Sequence, residues 1–234
     1  MIRPQSLALA LALVAACGHA PPRALPAPAP RYLLYLHAKI VEEQGRHATD
    51  PAFGPYEYDA ILDSLRAAGF VVLSEQRPPQ ANSDTFATHV VRRVDSLLAA
   101  GVPPQAITVV GFSKGGWIAI LASARLRNPA VSFVFMGACG PWAFERPDLH
   151  VTGRLLSLYE RSDSLGVSCA PLFARRGPRS EAREIALDLG LGHGTFFVPR
   201  AAWLGPVVEW AGGRGAEVRG DGSRRVTPPA RVGP

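Results

Sequence analysis

The chain has 234 residues, 47% hydrophobic and 19% charged, which excludes wholesale disorder and gives room for one domain with a single sizeable core. Its formal charge of +6 invites a nucleic-acid reading, but the basicity is terminal. Arg3 and Arg23 fall in residues 1–30 and a net +3 falls in residues 212–234, which leaves +1 for residues 31–211 and no basic face for a polyanion.

At the N-terminus, Arg3 precedes an apolar run from Leu7 to Ala16, too short to span a bilayer. A basic start, a short apolar stretch and the small residues Val14, Ala15 and Ala16 read as an export signal over residues 1–16. The tetrad ending at Cys17 resembles the lipobox of bacterial lipoproteins, in which the cysteine is acylated and becomes the mature N-terminus. That resemblance implies a lipid on Cys17, a membrane partner, and a position facing the periplasm or cell exterior. The proline-rich residues 17–30 then form an extended spacer. In such an oxidising compartment Cys139 and Cys169 are free to bridge, with two buried thiols as the alternative.

From Tyr32 onward, short β-branched runs alternate with stretches of helical period, the pattern of βαβ units. The spacing predicts strands at Tyr32–Leu36, Phe70–Leu73, Ile107–Val110, Val131–Met136, Leu155–Tyr159 and Glu184–Leu187. Tyr58, Ile61, Leu62 and Leu65 line one helix face, and Val90, Val91, Val94, Leu97 and Leu98 another. A short closing helix is predicted at Pro206–Ala211, with proline in its first turn. The fold class is therefore α/β, a mostly parallel sheet flanked by helices on both faces over residues 31–211. A Gly/Arg/Pro-rich tail over residues 212–234 has too little apolar surface to fold.

The decisive stretch runs from Ile107 through Gly111-Phe112-Ser113-Lys114-Gly115 into Trp117-Ile-Ala-Ile-Leu, a buried strand entering a helix through G-x-S-x-G. Ser113 has to occupy a strained turn that lifts its hydroxyl above the sheet, and the glycines leave space for backbones passing close by. A serine hydroxyl is a weak nucleophile until a histidine takes its proton, and the histidine needs a carboxylate to orient it. Asp163 and His193 follow in that order, 50 and then 30 residues further on. Glu160 and Asp188 are the rival acids, passed over because the acid usually lies in the loop beyond its strand.

Here the chain resembles the α/β-hydrolase superfamily, specifically its compact, lid-free esterase and thioesterase-like members. The resemblance implies an eight-stranded or slightly reduced sheet and an acyl-enzyme on Ser113. It also implies an oxyanion hole built from the backbone N–H of Lys114 and that of Lys39 in His37-Ala38-Lys39, where Ala replaces the usual Gly. His37 itself reads as a structural turn residue, and Glu42 and Glu43 as solvated loop carboxylates, with a place in the pocket lining as the alternative. The stretch from Gly137 to Thr152 is only sixteen residues long, too short for a cap domain. No cluster has metal spacing, and neither cofactor nor nucleic acid is expected. The substrate expected is a small-molecule or acyl ester. Competing readings are a membrane-tethered binding protein on the same fold, and a peptidase or acyltransferase using the same triad.

Overall fold

The computed structural model describes residues 29–213. The expected signal, the lipid site at Cys17, the spacer to residue 28 and the tail after residue 213 lie outside the described residues.

The described residues hold eight strands: β1 (Arg31–Leu36), β2 (Thr49–Asp50), β3 (Gly54–Pro55), β4 (Phe70–Leu73), β5 (Ile107–Phe112), β6 (Ser132–Met136), β7 (Arg154–Glu160) and β8 (Glu181–Leu187). The helices are α1 (Lys39–Gln44), α2 (Tyr58–Ala67), α3 (Ser83–Ala99), α4 (Lys114–Leu126), α5 (Pro141–Phe144), α6 (Ala170–Phe173) and α7 (Ala201–Gly212). Six strands form one sheet in the order β4-β1-β5-β6-β7-β8, every neighbouring pair parallel. The remaining two form a short hairpin, β2–β3.

Parallel strands with helices on both faces need apolar side chains on both faces, and β5 and β6 are buried at every position. Alternation then sorts the side chains into two cores. Leu33, Tyr35, Val110, Phe112 and Met136 pack with α2 and α7, around Tyr58 and Trp203. Leu34, Val109, Phe133 and Phe135 pack with α3 and α4, around Val94 and Ile118. From β1 the chain moves outward to β4 and then returns to β5, so β1 and β5 flank the point where the connections diverge. Crevices that hold ligands form at the carboxyl ends of strands at such a point.

Three readings of the chain need correction. The closing helix begins at Ala201, not Pro206, so the proline sits inside the helix. Gly205 before it has no Cβ to clash with the proline ring, and exposed Ala202, whose carbonyl loses the missing N–H, faces solvent. The helix also runs to Gly212, whose carbonyl accepts from Arg31 Nη1 at 2.8 Å, so the domain extends past the assigned start of the tail. Glu42 and Glu43 belong to a helix, α1, and Glu42 is 1% exposed rather than solvated.

Candidate active site

β5 delivers the chain directly into Ser113, which adopts φ 54° and ψ −121° before α4 begins at Lys114. Positive φ in a residue with a side chain is strained and persists only where its surroundings hold it. The glycines show what holds it. A Cβ on Gly111 would lie 2.3 Å from the Gly115 carbonyl oxygen, and one on Gly115 would lie 2.0 Å from that of Leu36. A Cβ on Gly116 would meet that of Ala138 at 2.4 Å. The turn is thus wedged between the ends of β1 and β6, and Ser113 N–H donates to Met136 O at 2.9 Å.

Asp163 and His193 meet beside it. His193 Nδ1 lies 2.7 Å from Asp163 Oδ2, with both side chains nearly buried. With the carboxylate as acceptor, Nδ1 carries the proton and the neutral ring keeps Nε2 as its basic atom. The imidazole packs on the ring of Phe112, the residue immediately before Ser113, at a centroid separation of 4.7 Å. Below the pair lies Gly137, where a Cβ would come within 3.3 Å of Asp163 Oδ2 and 3.4 Å of both His193 and Phe112. Asp163 Oδ1 accepts from the Leu165 N–H, which fixes the carboxylate.

Glu160 ends β7 and has a different task. Its carboxylate accepts from the N–H groups of Ser162, Leu189 and Gly190 and from the hydroxyls of Ser162 and Thr195. It therefore braces both loops, the one carrying Asp163 and the one carrying His193. Burial pushes its carboxyl up, but the N–H groups of Leu189, Ser162 and Gly190 outweigh burial and hold it below the usual value. A disulfide joins Cys139 to Cys169 across a Cα separation of 5.3 Å, and Val167 N–H donates to Cys139 O. The loop bearing Asp163 is thereby fastened to the end of β6.

Lys39 and Lys114 are each the first residue of a helix, where backbone N–H groups have no intrahelical acceptor. They follow β1 and β5, which pair in the register Leu36 to Gly111, so the two amides lie at adjacent strand ends. Around them is a network that the sequence did not disclose. Glu42 Oε1 accepts from Arg77 Nε at 2.6 Å and Glu42 Oε2 from Lys114 Nζ at 2.5 Å. Arg77 N–H donates to His37 Nε2 at 2.9 Å. No motif marks Arg77, a lone arginine before a proline pair.

The hairpin β2–β3 lays Phe53 against Gly194, where a Cβ would come within 2.8 Å of that of Phe53. A cavity of about 340 Å³ opens there, lined by Phe53, Ser162, Leu191, Gly192 and Arg200. A cavity of about 380 Å³ lies between α3 and the ends of β1 and β4, lined by none of Ser113, Asp163 and His193.

No family model matches the chain. A curated acetyl-hydrolase from Streptomyces hygroscopicus is 28% identical over 114 residues, 48% of this chain; the match spans 36% of that relative's length. Among solved structures, Arabidopsis thaliana SOBER1 superposes with a TM-score of 0.52 at 12% identity, covering 79% of this chain and 98% of its own. An α/β serine hydrolase without lid from Xanthomonas campestris gives 0.51 at 14% identity, over 80% and 84% of the two chains. The esterase domain of a Rhodothermus marinus protein gives 0.51 at 16% identity, over 80% and 88%. The chain has the α/β-hydrolase fold.

Proposed function

We propose that the chain is a serine hydrolase that cleaves a carboxylic ester or thioester through an acyl-enzyme. The observation that carries this is the hydrogen-bonded Asp163–His193 pair packed on Phe112, next to a serine held at positive φ. The hydrolases and esterases among the similar proteins support the same reading.

In this mechanism Ser113 Oγ attacks the carbonyl carbon while His193 Nε2 takes its proton, and Asp163 stabilises the imidazolium. The tetrahedral oxygen receives the N–H groups of Lys114 and Lys39, each donor contributing about 10²–10³ in kcat. Collapse expels the alcohol or thiol, which carries the proton from His193. Water then enters and gives its proton to His193 as it attacks the acyl carbon; collapse breaks the acyl–Oγ bond, releases the acid and returns that proton to Ser113 Oγ. The loop between β6 and β7 carries only the single turn of α5, so among the described residues no cap covers the serine, and an open site suits small acyl groups or the exposed ends of large substrates.

Hydrolysis of p-nitrophenyl esters from acetate to decanoate, compared with Ser113→Ala, tests the reading. Activity confined to the wild type, with a fluorophosphonate bound at Ser113, is expected. A folded wild type that neither turns over nor labels would make it a binding protein on this fold.

Export and acylation of Cys17 complete the proposal, resting on the lipobox-like tetrad. Metabolic labelling with an alkynyl fatty acid should mark the wild type and not Cys17→Ala; equal labelling of both would remove the anchor from the scheme.

A further inference from the structure

Given the serine-hydrolase reading above, the oxyanion hole depends on the orientation of two peptide groups; the Lys114 one is aimed by Trp117 N–H, which donates to Ser113 O at 3.0 Å, and the geometry points to Glu42 as the residue that positions the Lys39 one. The N–H of Lys39 belongs to the peptide whose carbonyl is Ala38 O. Because C=O and N–H of a trans peptide point in opposite directions, whatever holds Ala38 O aims the Lys39 N–H. His37 holds it: Nδ1 lies 2.8 Å from Ala38 O. The tautomer is fixed from the other side of the ring, since Arg77 N–H donates to Nε2 and leaves the proton on Nδ1.

Arg77 also donates through Nη2 to the His37 carbonyl, so it grips the ring and the backbone of the same residue. Arg77 in turn is held by Glu42, both side chains being at most 1% exposed. The second Glu42 oxygen takes Lys114 Nζ, and the Lys114 backbone N–H is the other proposed donor. One carboxylate thus joins the segment after β1 to the residue after the nucleophile.

Stability alone gives no account of this cluster. Burying a carboxylate with a guanidinium strips both ions of water, and apolar residues of similar volume often serve stability as well. An arrangement that fixes the tilt of the Lys39 amide has a use that apolar packing lacks, because a mispointed donor forfeits transition-state stabilisation. Glu42 touches neither substrate nor reacting atoms; it is a positioning residue, acting through Arg77 and His37, with Lys114 Nζ fixing its other oxygen.

The test measures kcat, KM, melting temperature and the affinity of a boronic acid that mimics the tetrahedral intermediate, in the mature protein. Glu42→Gln is expected to lower kcat about 10- to 100-fold, the scale of one impaired donor, with KM within about twofold of wild type. Boronate affinity should fall by the same factor as kcat. Should that variant fail to fold, Lys114→Met leaves the Arg77–Glu42 pair intact. It is expected to lower kcat and boronate affinity together about 10-fold, with Lys114→Arg restoring both. If a folded variant keeps wild-type kcat and boronate affinity, or changes only melting temperature and KM, Glu42 has a structural role and the inference is overturned. A wild type that neither hydrolyses ester nor labels at Ser113 would instead overturn the hydrolase reading, and this inference with it.

Discussion

Ser113 occupies φ 54° because backbone on three sides leaves the chain no other path, and the glycines around it are the condition for that approach. Gly115→Ala would drive a methyl into the Leu36 carbonyl, which is backbone and has nowhere to move. The expected result is a severe fall in melting temperature together with loss of ester hydrolysis, read by calorimetry and p-nitrophenyl acetate turnover. Asp163→Asn tests a subtler matter. The amide conserves the shape but can donate to Nδ1, which favours the tautomer with its proton on the wrong nitrogen. Turnover should fall about 10³–10⁴-fold while melting temperature moves little, since geometry survives and only the base is misassigned. Wild-type turnover in Asp163→Asn would remove this carboxylate from the mechanism.

At the scale of elements, Glu160 ties the turn after β7 to the turn after β8. Its folded pKa is depressed, so the stability it confers is present above the ordinary glutamate value of 4.5 and is lost as pH falls through the lower folded value. Urea unfolding followed below pH 4.5 should therefore show a loss that Glu160→Gln lacks, the variant being weaker than wild type at neutral pH. The disulfide acts on the same region from the opposite side. It closes a segment with a sequence separation of 30, and loop-closure entropy for that length is worth about 3–4 kcal/mol. Cys169→Ser, or reduction by dithiothreitol, should lower the melting temperature, and activity should fall at temperatures where the Asp163 loop loosens first. An unchanged melting temperature on reduction would show that the loop needs no staple.

For the whole molecule, the buried crossing of β1, α1 and the segment around Arg77 makes one titration global. His37 is fully buried; burial and then the Arg77 charge lower its pKa to about 3 from 6.5. A folded value below the unfolded one means that the unfolded chain takes the proton first, so stability is complete above pH 6.5 and declines as pH falls toward 3. The free energy of unfolding should already drop between pH 6.5 and 5, before the carboxylates contribute. His37→Gln should flatten that stretch of the profile. The same crossing joins the two cores, since Tyr58 packs edge-on against His37 at 5.6 Å while Lys114 opens the central helix α4. Acid loosening is thus expected to reach both cores together, as one transition in tryptophan fluorescence.

The sequence by itself determined what depends on near neighbours in the chain. Parallel strands buried on both faces read as near-continuous apolar runs, and the turn at Ser113 is written in five consecutive residues. The roles of the two acidic residues three positions apart required the tertiary fold. Glu160 still lies in register on β7 and is met by N–H groups of the turn after β8, whereas Asp163 has turned back over Gly137 to reach His193. Glu42, Arg77 and Lys114 likewise carry no local signal, for they come from three separate segments joined only where β1 and β5 end side by side. Helical and strand periodicities report which face is apolar. They do not report which buried charge will find a partner 35 or 72 residues away, because that depends on the packing of elements and not on their sequence.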